Sequence, residues 1–214
     1  FLDDGYRVGF LGRRAATLEA AANGHKNALL LPCDVADPAD VDAAFASVTP
    51  DTVSKILMTS GSTSLPKGVL TTQKMMCVNQ AQLADSLPFL RARPPRIVDW
   101  LPWNHVFGGS HNFNMILANG GSLYIDDGKP VKGLFDRTLE NHALITGNIV
   151  FNVPMGFSML LEGLRKNADL RQRFFENLDM VFYAGASLPQ DVWEGFETLA
   201  MEVKGEVPLM TSSW

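Results

Sequence analysis

Apolar positions along the chain fall into short unbroken runs separated by stretches of helical spacing, the pattern of strands alternating with helices. Residues 6–11 and 28–35 read as buried strands. Between them residues 15 to about 23, rich in Ala, Leu and Glu, predict a helix that Gly24 ends. Asp37-Pro38 predicts the start of a second helix, with Asp as cap and Pro at the first helical position. Strand, helix, strand, helix at this spacing implies a parallel βαβ arrangement. Thr49-Pro50-Asp51-Thr52 is a turn cluster, read as the junction between a first segment, 1–48, and a second, 49–214.

The alternation continues in the second segment. Residues 53–57 and 69–70 read as strands, and 73–87 as a helix with Met75, Met76, Asn79 and Leu83 at helical spacing. These methionines are expected to fill core, and Cys77 to be a small buried hydrophobe. Pro94-Pro95 breaks the chain ahead of a strand at 97–101. A helix over 106–119 is stopped by Gly120-Gly121, with His111, Asn112 and Asn114 expected on its polar face, where one of them could turn toward a pocket. A strand at 122–125 runs into Asp126-Asp127-Gly128, read as a solvated turn in preference to a metal pair. Strands at 149–153, 180–183 and 207–210, with helices at 156–166, 169–177 and 189 to about 202, complete an α/β chain.

Composition narrows the function classes. The chain has 214 residues, 46% hydrophobic and 19% charged, the balance of a soluble globular protein. A net charge of −5 and no basic stripe argue against nucleic acid as a partner. Two cysteines, Cys33 and Cys77, make neither a disulfide framework nor a zinc site, so a reducing, cytoplasmic setting is expected. No apolar run reaches the ~18–20 residues of a membrane span. The start, Phe1-Leu2-Asp3-Asp4-Gly5-Tyr6, lacks an initiator Met and the layout of a signal peptide, so the chain reads as part of something longer. No metal site is expected from the protein's own side chains.

The stretch of greatest chemical interest is Met58-Thr59-Ser60-Gly61-Ser62-Thr63-Ser64-Leu65-Pro66-Lys67-Gly68-Val69. Hydroxyl residues and glycine between two strands can turn N–H groups and hydroxyls toward one anion, with Lys67 adding a point charge. A Walker loop would place Lys directly after Gly and before Ser or Thr, and this one does not. An ordinary Ser/Gly turn shares the composition. However, the order Thr-Ser-Gly-Ser-Thr-x-x-Pro-Lys-Gly resembles the phosphate loop of the adenylate-forming enzymes, the acyl-CoA synthetase and luciferase superfamily. Ser64 departs from that pattern, which commonly has Gly there. If the position needs positive φ, Ser would strain the loop.

Later motifs extend the resemblance in order. Pro102-Trp103-Asn104-His105-Val106-Phe107-Gly108-Gly109 follows a strand, at the end where ligands sit in open α/β sheets. It is similar to the family's loop at the acyl pocket, and the glycines at 108 and 109 would let substrate approach the backbone. Tyr183-Ala184-Gly185-Ala186 resembles the next core motif, and Thr211-Ser212-Ser213-Trp214 the one whose aromatic packs on adenine. The runs at 98–130 and 182–186 look most like the feruloyl-CoA synthetase-like branch.

The resemblance implies ATP-dependent activation of a carboxylic acid, feruloyl-like and aromatic, to an acyl-adenylate, followed by transfer to CoA. It implies that Thr59, Ser60, Gly61, Ser62, Thr63, Ser64 and Lys67 hold the phosphates and that His105 lies at the carboxylate. Phe107, Gly108, Gly109, Tyr183, Gly185 and Ala186 would line the acyl pocket, and Ser212, Ser213 and Trp214 would meet the adenine. ATP, Mg²⁺ and CoA are the implied cofactor and substrates. The family's magnesium Glu, ribose Asp and C-terminal lid lie beyond the matching motifs, so the chain alone is expected to be inactive or nearly so.

The first segment resembles instead the nucleotide-binding half of a short-chain dehydrogenase/reductase. Gly12-Arg13-Arg14 matches its reader of the NADP 2′-phosphate, and Cys33-Asp34-Val35 the place of its adenine contact. The Gly-rich turn that would hold the pyrophosphate should precede Phe1. The family's Tyr-x-x-x-Lys pair occurs nowhere, since Tyr6, Tyr124 and Tyr183 lack a Lys four residues on. Arg13, Arg14 and Asp34 are therefore expected to be vestigial in a chimeric arrangement without NADP chemistry. A non-catalytic nucleotide-binding module is the remaining alternative.

Overall fold

The computed structural model describes residues 2–3, 5, 7–59 and 67–213. Two compact units divide it, one comprising the chain up to Ser54 with Thr72–Lys74, the other Lys55–Thr71 and the chain from Met75 on.

The first unit carries β1 (Val8–Gly12), α1 (Ala15–Ala22), β2 (Ala28–Pro32) and α2 (Pro38–Phe45). β1 and β2 are parallel, with Val8 opposite Ala28 and Gly12 opposite Pro32. Asn23 closes α1 with φ 48°, one residue ahead of Gly24. Asp37 caps α2 by accepting from Ala39 N at 2.9 Å, and Pro38 takes the first helical position. The expected βαβα unit is therefore present, with β2 ending at Pro32 rather than continuing to residue 35.

β3 (Val53–Thr59) and β4 (Lys67–Thr72) pair, and both are longer than the apolar runs alone predicted. α3 (Gln73–Ser86) follows, then the short α4 (Phe89–Ala92). The buried stripe of α3 differs from expectation. Gln80 is buried, and Gln73, Met76, Leu83 and Ala84 are half-buried ahead of buried Leu87. That spacing turns Met75, Cys77 and Val78 outward, so Met75 is not core filler and Cys77 is exposed.

The second unit is built on parallel strands. β5 (Arg96–Asp99) pairs with β6 (Ser122–Ile125), and β7 (Ile149–Asn152), β8 (Met180–Ala184) and β9 (Leu209–Ser213) form a three-stranded sheet. Asn148 N donates to Arg96 O, and Trp100 Nε1 donates to Asn152 Oδ1, so the start and end of β5 are both tied to β7. Between β5 and β6 lie a π-helix, Val106–Asn112, and α5 (Phe113–Asn119). α6 (Phe135–Leu144), α7 (Pro154–Lys166), α8 (Ala168–Glu176) and α9 (Gln190–Lys204) complete the order.

Helices cover both faces of β7 and β8, which is why these strands read as continuous apolar runs. Val150 and Val181 face a core of Phe157, Leu160, Leu164, Phe174, Phe175 and Phe196. Ile149, Phe151, Met180 and Phe182 face the opposite way, onto Ile97, Leu101, Met115 and Ile116. Burying each of these four phenylalanines, or Phe135 of the same core, contributes on the order of 2–3 kcal/mol. Among the described residues no helix is long and apolar enough to cross a membrane.

The turn after β6 is not the solvated one that its sequence predicted. Asp126 is buried and accepts from Thr138 Oγ1 at 2.7 Å, Asn141 Nδ2 at 2.7 Å and Gly128 N at 2.8 Å. Asp127 alone is exposed, paired with Arg137 at 2.9 Å. The first turns of α6 supply donors that the linear sequence places 12–15 residues away.

Candidate functional site

The C-terminal ends of β5, β7, β8 and β9 carry the residues of interest. Strand register sets Asn152, Tyr183 and Ser212 in one row, and Ala184 beside Ser213. Strand alternation then sorts the side chains between faces. Tyr183 lies toward α9, its ring edge-on to Trp193 at 6.2 Å, whereas Phe107 packs on the opposite face against Phe182 at 5.8 Å. Gly185 takes φ +90°, a conformation that favours glycine, and with Ala186 it is exposed just beyond β8.

His105 is exposed and caps the π-helix. Its backbone is extended, its N–H donates to Pro102 O at 3.1 Å, and its Nδ1 accepts from Phe107 N at 3.2 Å. An accepting Nδ1 carries no proton, so the neutral ring has its hydrogen on Nε2. The next turn is π-helical because Phe113 N reaches back five residues to Gly108 O. Gly108 and Gly109 are buried against their own loop. A Cβ on Gly108 would lie 2.6 Å from Pro102 O, and one on Gly109 1.9 Å from Trp103 O. It is the 101–103 backbone that approaches these glycines closely.

Two side chains hold the same segment from outside. Lys55 Nζ on β3 donates to Gly109 O at 3.2 Å and Ser110 Oγ at 3.3 Å, and Gln80 Nε2 on α3 donates to Ser110 O at 3.3 Å. Neither was singled out in the sequence, where a lysine in a strand and a glutamine in a helix carry no signal.

His111 and Asn112 do not form the polar surface expected of them. Asn112 is fully buried, donating from Nδ2 to Asp99 Oδ2 at 2.8 Å and facing His111 Nδ1 with Oδ1 at 2.9 Å. The Asp99 carboxylate also accepts from Leu101 N at 3.0 Å. Burial raises the pKa of Asp99, opposed by its bonds from Asn112 and Leu101. Burial lowers that of His111, opposed by the bond to Asn112. The ring of His111 lies 5.2 Å from those of both Phe151 and Phe182 and 5.9 Å from Phe107.

The other sequence candidates are dispersed. Lys67 is exposed at the first position of β4, and Thr59 is the last residue of β3. Ser60, Gly61, Ser62, Thr63 and Ser64, with Pro66, lie outside the described residues, as do Trp214 and Tyr6. Ser212 is half-buried on β9 and Ser213 ends that strand. In the first unit Arg13 and Arg14 are exposed after β1, while Asp34 accepts from Ala36 N at 3.0 Å. Among the described residues no three His, Cys, Asp or Glu side chains gather as a metal cage.

The fold has solved counterparts. A malonyl-CoA ligase in ternary product complex with methylmalonyl-CoA and AMP superposes with TM-score 0.62 at 18% identity, over 78% of this chain and 34% of that one. ATP-bound MatB from Rhodopseudomonas palustris gives 0.56 at 20%, over 96% and 40%. An O-succinylbenzoate coenzyme A synthetase (MenE) from Bacillus subtilis, in complex with AMP, gives 0.52 at 22%, over 69% and 28%. At these identities the likeness is one of fold, and the chain spans well under half the length of each. By sequence it is 27% identical over 153 residues to chalcone synthase cfoA of Aspergillus candidus, 71% of this chain and 5% of that protein. A family model described as AMP-binding enzyme matches residues 13–206, taking in most of the first segment and all of the second unit's helices, and the chain accordingly belongs to the AMP-binding enzyme family.

Proposed function

We propose that this chain is the nucleotide- and acid-binding portion of an acyl-CoA ligase that activates an aromatic, feruloyl-like carboxylic acid. What supports the reading is that the His105 loop follows β5, Gly185–Ala186 follow β8 and Ser212 lies on β9, at the C-terminal ends of parallel strands in a chain of the AMP-binding family. In the reaction, a carboxylate oxygen attacks the α-phosphorus of ATP and the bond to pyrophosphate breaks. The thiol of CoA then attacks the acyl carbonyl, losing its proton, and AMP leaves. Charge accumulates on phosphate and carboxylate oxygens, so catalysis consists of positioning and charge stabilisation.

In this reading Lys67, with Thr59 and residues 60–64, holds the β- and γ-phosphates, and Ser212 to Trp214 border the adenine. His105, its Nδ1 occupied by the Phe107 amide, offers Nε2–H to the reacting oxygens. Mg²⁺ would arrive with the nucleotide, since such ions are commonly held by one or two carboxylates plus the phosphates. Binding, rather than turnover, is the activity proposed for this chain alone, in a cytoplasmic setting where ATP and CoA are available. For the first segment we propose a reductase-like nucleotide-binding unit without reductase chemistry. The parallel β1–β2 pair, with Arg13 and Arg14 after β1, supports the likeness.

Calorimetry with ATP and Mg²⁺ tests the proposal on the chain and on Lys67→Ala. Binding is expected, weakened about tenfold or more by the substitution, the scale of one lost charge-assisted phosphate contact. Equal affinity in both would overturn the phosphate-loop assignment. NADPH titrated in parallel is expected to give no heat of binding, and saturable binding would favour a reductase.

A further inference from the structure

We propose that a second, anion-binding site lies at the N-terminal ends of β5, β6 and β7, where Arg96, Arg93 and Ser122 take a phosphate-type oxyanion. These are the strand ends opposite to those that carry the residues assigned above to nucleotide and acid.

A pocket of about 220 Å³ opens there, lined by Arg93, Pro94, Pro95, Arg96, Ser122 and Asn148. Its walls are pinned by backbone. Ser122 N donates to Pro95 O at 2.9 Å, and Asn148 N donates to Arg96 O at 2.9 Å. A Cβ on Gly121 would lie 2.2 Å from Pro95 O, and one on Gly147 2.6 Å from Arg96 O. The turns that enter β6 and β7 therefore close directly onto the start of β5. Pro94 and Pro95 fix φ in the two residues between the arginines.

Asn148 connects the two arginines. It is buried, its Oδ1 accepts from Arg96 N at 2.6 Å, and its Nδ2 donates to Asp179 Oδ2 at 3.1 Å. Asp179 in turn occupies one edge of Arg93, accepting from Nε at 2.8 Å and from Nη2 at 2.5 Å. Nη2 of Arg93 also donates to Asn177 O at 2.8 Å. Arg93 is thereby held in place with Nη1 left over. Arg96 differs. Its backbone is bonded on both sides, but its side chain is exposed and among the described residues has neither an ion pair nor a hydrogen bond.

After Arg93 and Asp179 cancel, one positive charge remains at the pocket. Around it stand the five-donor fork of Arg96, the Nη1 hydrogens of Arg93 and the Ser122 hydroxyl. A planar carboxylate is satisfied by a single arginine fork, whereas donors from three residues suit an anion with three or more oxygens. The volume is below the roughly 300–1,000 Å³ of small-molecule sites, and the only rings in the lining are those of two prolines. The pocket therefore takes inorganic phosphate, or the phosphoryl group of a monoester whose remainder stays outside.

The test follows the arginine Nε–H NMR resonances of the full chain, titrated at low salt with inorganic phosphate and with O-phosphoserine. The Arg96 resonance should move and saturate in the millimolar range. In Arg96→Gln, affinity read from the Arg93 resonance should fall about tenfold or more, the effect of one lost charge-assisted contact. Arg96→Lys, which keeps the charge without the fork, should recover only part of it. No saturable shift, or unchanged affinity in Arg96→Gln, overturns the proposal. Phosphate binding that is lost in Lys67→Ala and kept in Arg96→Gln would place the anion at the phosphate loop and overturn it equally. If Arg96→Gln does not fold, the unsubstituted chain decides: Arg96 should shift ahead of the other arginines, and equal shifts in all of them overturn the proposal. With the site upheld, tighter binding of O-phosphoserine assigns it to a carried phosphoryl group, and tighter binding of inorganic phosphate to the free anion.

Discussion

His142 on α6 makes acid stability a sharp test of the packing described above. Its side chain is 2% exposed, its Nδ1 has no hydrogen-bond partner, and Phe174 stands edge-on at 5.7 Å. Burial lowers its pKa from 6.5 to about 4, against a smaller opposing attraction from Asp126. The folded state therefore keeps the ring neutral over a range in which the unfolded chain takes up a proton. Stability from this group is fully present above 6.5 and is lost as pH falls toward 4. At about 1.4 kcal/mol per pH unit the whole loss is about 3 kcal/mol, of which about 2 kcal/mol is gone by about pH 5. All four tryptophans belong to the second unit, as does His142, so urea unfolding followed by tryptophan fluorescence reports on it. The comparison is between the unsubstituted chain and His142→Leu, each at about pH 7.5 and about pH 5. The unsubstituted chain should lose about 2 kcal/mol more than the variant between the two conditions. Asp99, whose raised pKa acts in the opposite sense, is common to both and drops out of the difference. Equal losses would refute the reasoning, and His142 would then be protonated, or reached by water, in the folded state.

Two further outcomes bear on the His105 segment. Gly109→Ala places a Cβ 1.9 Å from Trp103 O, so it should destabilise the second unit by about 2 kcal/mol or more through overpacking. Urea unfolding measures this, and an unchanged midpoint would mean that the 101–103 loop moves aside freely. Lys55→Met removes the ammonium that reaches Gly109 O and Ser110 Oγ. Amide exchange over 106–112 should quicken by about tenfold, the effect of one lost charge-assisted bond, with Lys55→Arg restoring most of the protection. No change in exchange would show that the π-helix stands without the tether.

The local pattern of the sequence was sufficient for most of the element list, though it predicted neither α4 nor α6. Unbroken apolar runs at 149–152 and 180–184 meant strands covered on both faces, and Asp37-Pro38 wrote its own helix cap, because these features depend on neighbours within a few positions. The motif order that brings His105 and Ala184–Gly185–Ala186 to strand ends was legible for the same reason. What linear pattern could not convey was which polar residues turn inward. Asp99 read as a residue within a strand, and His111 and Asn112 as helix-surface residues. His111 packs against Phe151 and Phe182, residues about 40 and 70 positions away that β7 and β8 bring to the π-helix. Asp126 likewise read as an exposed turn until α6 supplied its donors, and the stripe of α3 shifted because tertiary contact chose Gln80 over Met75. Gly108 and Gly109 were visible as glycines, but only the folded loop identifies the carbonyls that forbid a side chain there. The sequence by itself determined most of the strands, helices and motifs, since hydrophobic period and capping are local, but not α4, α6 or the bounds of β9. Tertiary structure alone decided which polar groups are buried and which face of each strand a candidate side chain occupies, since those follow from partners distant in the chain.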